Sequence, residues 1–81
     1  MKLSRLERDR LPPSAFAIPE LREYPLTDSK GKLHGPHIVA AVHYYRMHGH
    51  RLLPKYKKEF VLRICRAHAK VFPNRYLNLC P

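Results

Sequence analysis

The sequence predicts a mainly α protein: an antiparallel helical hairpin clasped by an extended, proline-rich N-terminal arm, with a short N-terminal helix. Three observations lead there. Two stretches, 37–48 and 54–72, repeat apolar residues at helical period, and the short link between them favours antiparallel neighbours. Four prolines interrupt the chain between Pro12 and Leu26, where no helix can run. Eighty-one residues suffice for one domain with one small core. Residues 1–81 are therefore read as a single unit, divided into a short helix (1–10), arm and loop (11–36), helix (37–48), basic helix (54–72) and tail (73–81).

Ser4-Arg5-Leu6-Glu7 has the S-x-x-E spacing of a capping box and predicts a helix over 5–10. Pro12-Pro13 ends it, because the residue before a proline is pushed out of the α region. The arm that follows carries Phe16, Ile18, Leu21, Tyr24 and Leu26, too many apolar residues for a free linker. The expectation is a strap, with Phe16, Ile18 and Tyr24 buried against Val42, Tyr45, Phe60 and Ile64. TDSKGKLHGP (27–36) is a loop by its glycines, proline and small polar residues.

Pro36 stands where a first helical residue belongs, and Ile38, Ala41, Val42 and Tyr45 then fall at i, i+3, i+4, i+7. Gly49 reads as a left-handed residue ending that helix. In the next one, Tyr56, Phe60, Ile64, Ala67 and Val71 form a single stripe, widened by Val61, Cys65, His68 and Phe72. The opposite arc holds Lys55, Lys58, Glu59, Arg63, Arg66 and Lys70, with Leu62 among them. Pro73 stops the helix.

The formal net charge of +10 is carried unevenly. Residues 1–28 hold five basic and five acidic groups, whereas 29–81 hold eleven basic groups against Glu59 alone. All six histidines also lie in that second part. Such asymmetry points to a polyanion or an acidic protein surface as partner. The N-terminal MKLSRLERDRLPP lacks the apolar core of a secretory signal, and no apolar run approaches the ~20 residues that span a bilayer. The expectation is a soluble protein without a membrane partner. Two cysteines are too few for a disulfide scaffold, so a reduced compartment and free thiols are expected.

The string LPPSAFAIPELREYPLTD, then H-x3-A-[LV]-x5-HG and a basic helix closing on Phe72-Pro73, resembles a small phage- and prophage-associated family of unknown function. Its members read LP-x-SAFA-x-P-x2-R-x-YP, then D-x2-H leading a helix that ends in HG. Ser14, Ala15, Phe16, Ile18, Pro19, Arg22, Tyr24, Pro25, Asp28, His37, Ala41, His48 and Gly49 fall on that pattern. Two features depart from it: Asp28 and His37 are nine residues apart where the family has about three, and RYLNLCP runs past the usual end. The resemblance transfers no activity, catalytic residue or cofactor. It implies a context, a phage or prophage product made beside capsid and packaging proteins, located in the virion or the bacterial host cytoplasm.

Catalytic chemistry finds little support. Cys65 and His68 stand at i, i+3 with no carboxylate near in sequence to orient them, and Glu59 is the only acid after Asp28. GKLHG is too short for a phosphate-cradling loop. For zinc, Cys65, His68 and Cys80 give three ligands, with His34 or His50 as a fourth, but no complete pair of ligand spacings is present. Cys65 reads instead as a small core residue. No enzyme activity, metal, cofactor or small-molecule substrate is expected.

The candidate binding residues are Lys55, Lys58, Leu62, Arg63, Arg66 and Lys70. The five cations can follow phosphates without reading sequence, and Leu62 suits a protein interface with an apolar centre and a basic rim. Tyr44, Tyr56 and Tyr76 are stacking candidates for bases, though such tyrosines are more often core or rim residues. The leading expectation is a non-enzymatic accessory protein binding a phage structural assembly, capsid or nucleoprotein particle, through this basic helical face. The alternative is a nucleic-acid-binding factor, or a phage inhibitor occupying a host nucleic-acid machine.

Overall fold

The computed structural model describes residues 3–80; residues 1, 2 and 81, at the outer ends of the expected N-terminal segment and tail, lie outside it. In chain order it holds α1 (Arg5–Arg10), β1 (Phe16–Ile18), β2 (Glu23–Pro25), α2 (Gly35–His48) and α3 (Pro54–Val71), with 3₁₀ turns at Pro13–Ala15 and Gly49–Arg51. This is a small α+β fold, which corrects the mainly α hairpin with an irregular arm. The arm is itself a β-hairpin: β1 and β2 pair antiparallel, Phe16 opposite Pro25 and Ile18 opposite Glu23.

Prolines do not prevent that pairing because of where they fall. Pro12 and Pro13 precede β1, Pro19 opens the turn, and Pro25 closes β2. The next residue supplies the missing donor, Leu26 N–H bonding Ala15 O at 2.8 Å. The turn is tight at a conformational cost: Arg22 and Tyr24 sit at φ 52° and 60°, a region that side chains with a Cβ rarely adopt.

Arg22 is what holds the hairpin to α1. Its guanidinium donates to Arg8 O at 2.6 Å, which also accepts the Leu11 N–H, and to Leu11 O, so it helps satisfy the carbonyls at the end of α1. It lies 5.0 Å over the Phe16 ring, and Arg8 donates back to Arg22 O at 3.3 Å. Arg22→Ala is expected to cost ~1.5–3 kcal/mol, the range for hydrogen bonds from a charged group. Arg22→Lys should recover only part, because one ammonium lacks the planar fork. Urea unfolding of the three proteins checks both.

At the other end of α1 the capping box is made. Glu7 N–H bonds Ser4 Oγ at 3.2 Å and Ser4 N–H bonds Glu7 Oε1 at 2.9 Å, which holds the Glu7 carboxyl below its usual range. The loop before α2 is ordered by Asp28, whose Oδ1 accepts from Lys32 N–H and Lys30 N–H at 3.0 and 2.9 Å. Those two bonds, Lys32's first, lower the Asp28 pKa. Gly31, at φ +86°, lets this Asx-type turn close. His37 Nδ1 meets Thr27 O at 2.7 Å, so the widened interval from Asp28 leaves the histidine bonded to the backbone beside that aspartate.

Gly49 departs from its expected role. It is right-handed, at φ −57°, and carries the chain into the 3₁₀ turn. A Cβ there would lie 3.0 Å from the Tyr45 ring, so close approach and not left-handedness calls for glycine.

The main core joins Ala17, Ile18, Leu26, Ile38, Ala41, Phe60, Ile64 and Ala67, with Tyr24, Val42 and Tyr45 packed at its margin. Ile18 and Tyr24 thus pack where the strap expectation puts them. Phe16 does not: with Ala15 and Leu11, the C-cap of α1, it forms a second cluster. β1 is buried along its whole length between the two.

Candidate functional site

α3 begins at Pro54, whose fixed φ suits a first turn, and buries Phe60, Ile64 and Ala67. That inward stripe dictates what faces out. At ~100° per residue, Lys55, Lys58, Leu62, Arg66, Ala69 and Lys70 share an arc of roughly 120°, and all six are exposed.

The six residues singled out from sequence do not share one fate. Arg63 is half-buried: its Nε donates to Glu59 Oε1 at 2.7 Å, and its Nη1 reaches Ser14 O at 3.4 Å. It braces α3 against the arm. Lys55 stands 3.7 Å from Glu20, also on the arm, and 4.8 Å over the Tyr56 ring. Lys58, Arg66 and Lys70 make no ion pair or side-chain hydrogen bond among the described residues. Leu62, 40% exposed, lies one turn from both Lys58 and Arg66. The free part of the face is therefore a leucine and an alanine flanked by three unpaired cations. The Glu59–Arg63 pair is legible in the i,i+4 spacing, but the contacts of Arg63 to Ser14 and of Lys55 to Glu20 are not, because those partners lie on the arm, 49 and 35 residues away.

The cysteines carry the largest correction. Cys65 and Cys80 form a disulfide, with Cα atoms 5.8 Å apart, and no free cysteine is present among the described residues. The reason is geometric: the tail turns back along α3 and brings Cys80 beside the helix. Neither sulfur is then a thiolate for zinc or a nucleophile beside His68, whose ring packs 5.0 Å from Phe72. His34 and His37 pair edge to face at 4.5 Å. Among the described residues no three His, Cys, Asp or Glu side chains gather as a metal site.

A groove of about 610 Å³ lies between α1, β2 and α2, lined by Arg8, Glu23, Tyr24, Pro25, His37 and Tyr44 among others. Sequence periodicity gave no hint of it; Tyr24, one of its lining residues, sits at φ 60°. The Tyr24 and Tyr44 rings are 4.3 Å apart, and burial, then the Tyr44 hydroxyl, push the Tyr24 phenol above its usual range. Its cationic and imidazole groups are committed to backbone carbonyls, Arg8 to Arg22 O and His37 to Thr27 O.

Among the described residues, no helix is long and apolar enough to cross a membrane. Compared with protein-family models, curated proteins and solved structures, the chain matches none. Several residues of the sequence pattern have mechanical roles here: Arg22 ties α1 to the hairpin, Asp28 shapes the loop, and Gly49 makes room for Tyr45.

Proposed function

We propose that this chain is a small, non-enzymatic accessory protein of phage or prophage type that docks on a larger anionic assembly, capsid or nucleoprotein particle, through the outward arc of α3. The observation that carries this reading is Leu62, exposed between Lys58 and Arg66, two cations without internal partners. An apolar centre with a charged rim is the anatomy of a protein interface. Nothing in the fold requires that arrangement, since Phe60, Ile64 and Ala67 already supply the helix's buried face. The disulfide favours the particle over the host cytoplasm as its place of residence, because cytosolic thiols are kept reduced.

The alternative, a nucleic-acid-binding factor or a blocker of a host nucleic-acid machine, draws on Lys58, Arg66 and Lys70. They run ~18 Å along the helix, the reach of several phosphates. One preparation separates the two. Purified at low salt, a nucleic-acid binder carries absorbance at 260 nm and loses affinity steeply as salt rises. The leading reading expects a clean protein spectrum, and sedimentation with particles that persists after nuclease treatment. Loss of sedimentation on nuclease treatment rejects it in favour of nucleic acid. Absence of both associations rejects the two readings together.

A further inference from the structure

The segment 73–80 is attached differently from the rest of the molecule. Its backbone hydrogen bonds are local, Arg75 N–H to Phe72 O and Cys80 N–H to Leu77 O, each 3.1 Å. What ties it to the body is side-chain contact. Asn78 Oδ1 accepts from Arg46 Nη2 at 2.7 Å, Leu77 is buried, and Leu79 packs at the margin of the main core. The remaining tie is covalent, the Cys65–Cys80 bond.

The fully buried members of both clusters lie outside this segment, with Leu79 touching the main one only at its margin. The main cluster is closed by residues between Ala17 and Ala67, and the second by Leu11, Ala15 and Phe16. Cys65 and Cys80 are both half-buried, so neither residue is sealed in the core. A segment held by two leucines and one exposed hydrogen bond stands near the point where its conformational entropy prevails. Closing the loop between the two cysteines is what tips it to the ordered side.

We propose that the Cys65–Cys80 disulfide is a redox-operated clasp: a dithiol reductant opens it, frees residues 73–80 and uncovers the apolar surface beneath Leu77 and Leu79, while the helical body stands. A donor thiolate attacks one sulfur, giving a mixed disulfide and releasing the other cysteine. The donor's second thiolate then displaces the remaining cysteine. The donor loses two electrons and becomes a disulfide, and two protons end on Cys65 and Cys80. Cys65 is three residues from Leu62 and four from Ala69 on α3, so opening the clasp also alters the border of the proposed docking arc. That last consequence rests on the proposed function; the clasp does not.

The test uses the ¹⁵N-labelled full chain, oxidised and then reduced with dithiothreitol. On reduction the amide order parameters of residues 77–80 should fall from about 0.85 to below about 0.6. They should recover on reoxidation, with those of residues 38–47 and 56–70 unchanged. Cys80→Ser should show the mobile tail without any reductant. A tail that stays rigid in either sample overturns the proposal. So does loss of order in α2 and α3 together with the tail, which would make the bond a staple of the whole fold. Particle and nucleic-acid binding, measured separately, can fail without touching this result.

Discussion

Changing Lys58, Arg66 and Lys70 together to Gln is expected to weaken binding to an anionic partner by roughly 10²-fold, with the fold intact. A cation near an anionic surface contributes about 1 kcal/mol, so three contribute about two orders of magnitude in Kd. These three are the informative set because none is tied within the chain. Arg63 is different: removing it breaks the contacts to Glu59 and Ser14, so lost binding would be confounded with a loosened arm. Gln is nearly as good a helix former as Lys or Arg, so helicity by circular dichroism should not change. Salt titration identifies the partner. If phosphates are the target, each lost contact lowers the logarithmic salt slope by about 1. Leu62→Ala supplies the complementary readout. It should weaken a protein partner more than a nucleic acid, because only the former offers an apolar pocket. A triple variant that binds particles and nucleic acid as the parent does would reduce the charge to simple solvation.

The helices were legible for identifiable reasons. The Ser4–Glu7 box, prolines near the starts of α2 and α3, and the Phe60–Ile64–Ala67 spacing are local signals that tertiary structure had no cause to override. The β-hairpin was not legible. Its strands are three residues each, too short to establish a period of two, and one contains a proline. Its turn lacks the Asn-Gly or Asp-Gly that announces a tight hairpin. It is completed instead by Arg22 and Tyr24 in left-handed conformations, against their intrinsic preference. What compensates is long-range: Arg22 bonded to α1, and Tyr24 stacked near Tyr44 and Phe60. Pairing of Cys65 with Cys80 was hidden for the same reason, since it depends on a tail that folds back after Pro73. On α3 the sequence located the outward arc but not all of its free members, which depend on the position of the arm as well as on the Glu59–Arg63 pair within the helix.

Phe60→Ala should bring the chain close to unfolding, at a cost of ~3–5 kcal/mol. Small domains have total stabilities of about 0.05–0.15 kcal/mol per residue, or roughly 4–12 kcal/mol at this length. The effect follows from where Phe60 stands. It has no solvent exposure and shares the main cluster with Ile18 from β1 and Ile38 from α2. Tyr24 and Tyr45 surround it, with ring centroids at 5.3 and 5.5 Å. One side chain therefore joins the hairpin, α2 and α3. Phe16→Ala is the control. Phe16 is equally buried, but among the described residues its cluster is smaller, with Leu11 and Ala15 buried beside it and Leu3 packed against them. Its loss should cost about 3 kcal/mol and fall mainly on α1 and the arm. Urea unfolding gives the two magnitudes, and amide exchange gives their location. Protection should drop throughout α2 and α3 for the Phe60 variant, and chiefly before residue 19 for the Phe16 variant. A Phe60→Ala loss below about 1.5 kcal/mol would mean that Tyr24 and Tyr45 collapse into the vacated space. In that case the tyrosines at the margin, and not Phe60, would be what couples the hairpin to the helices.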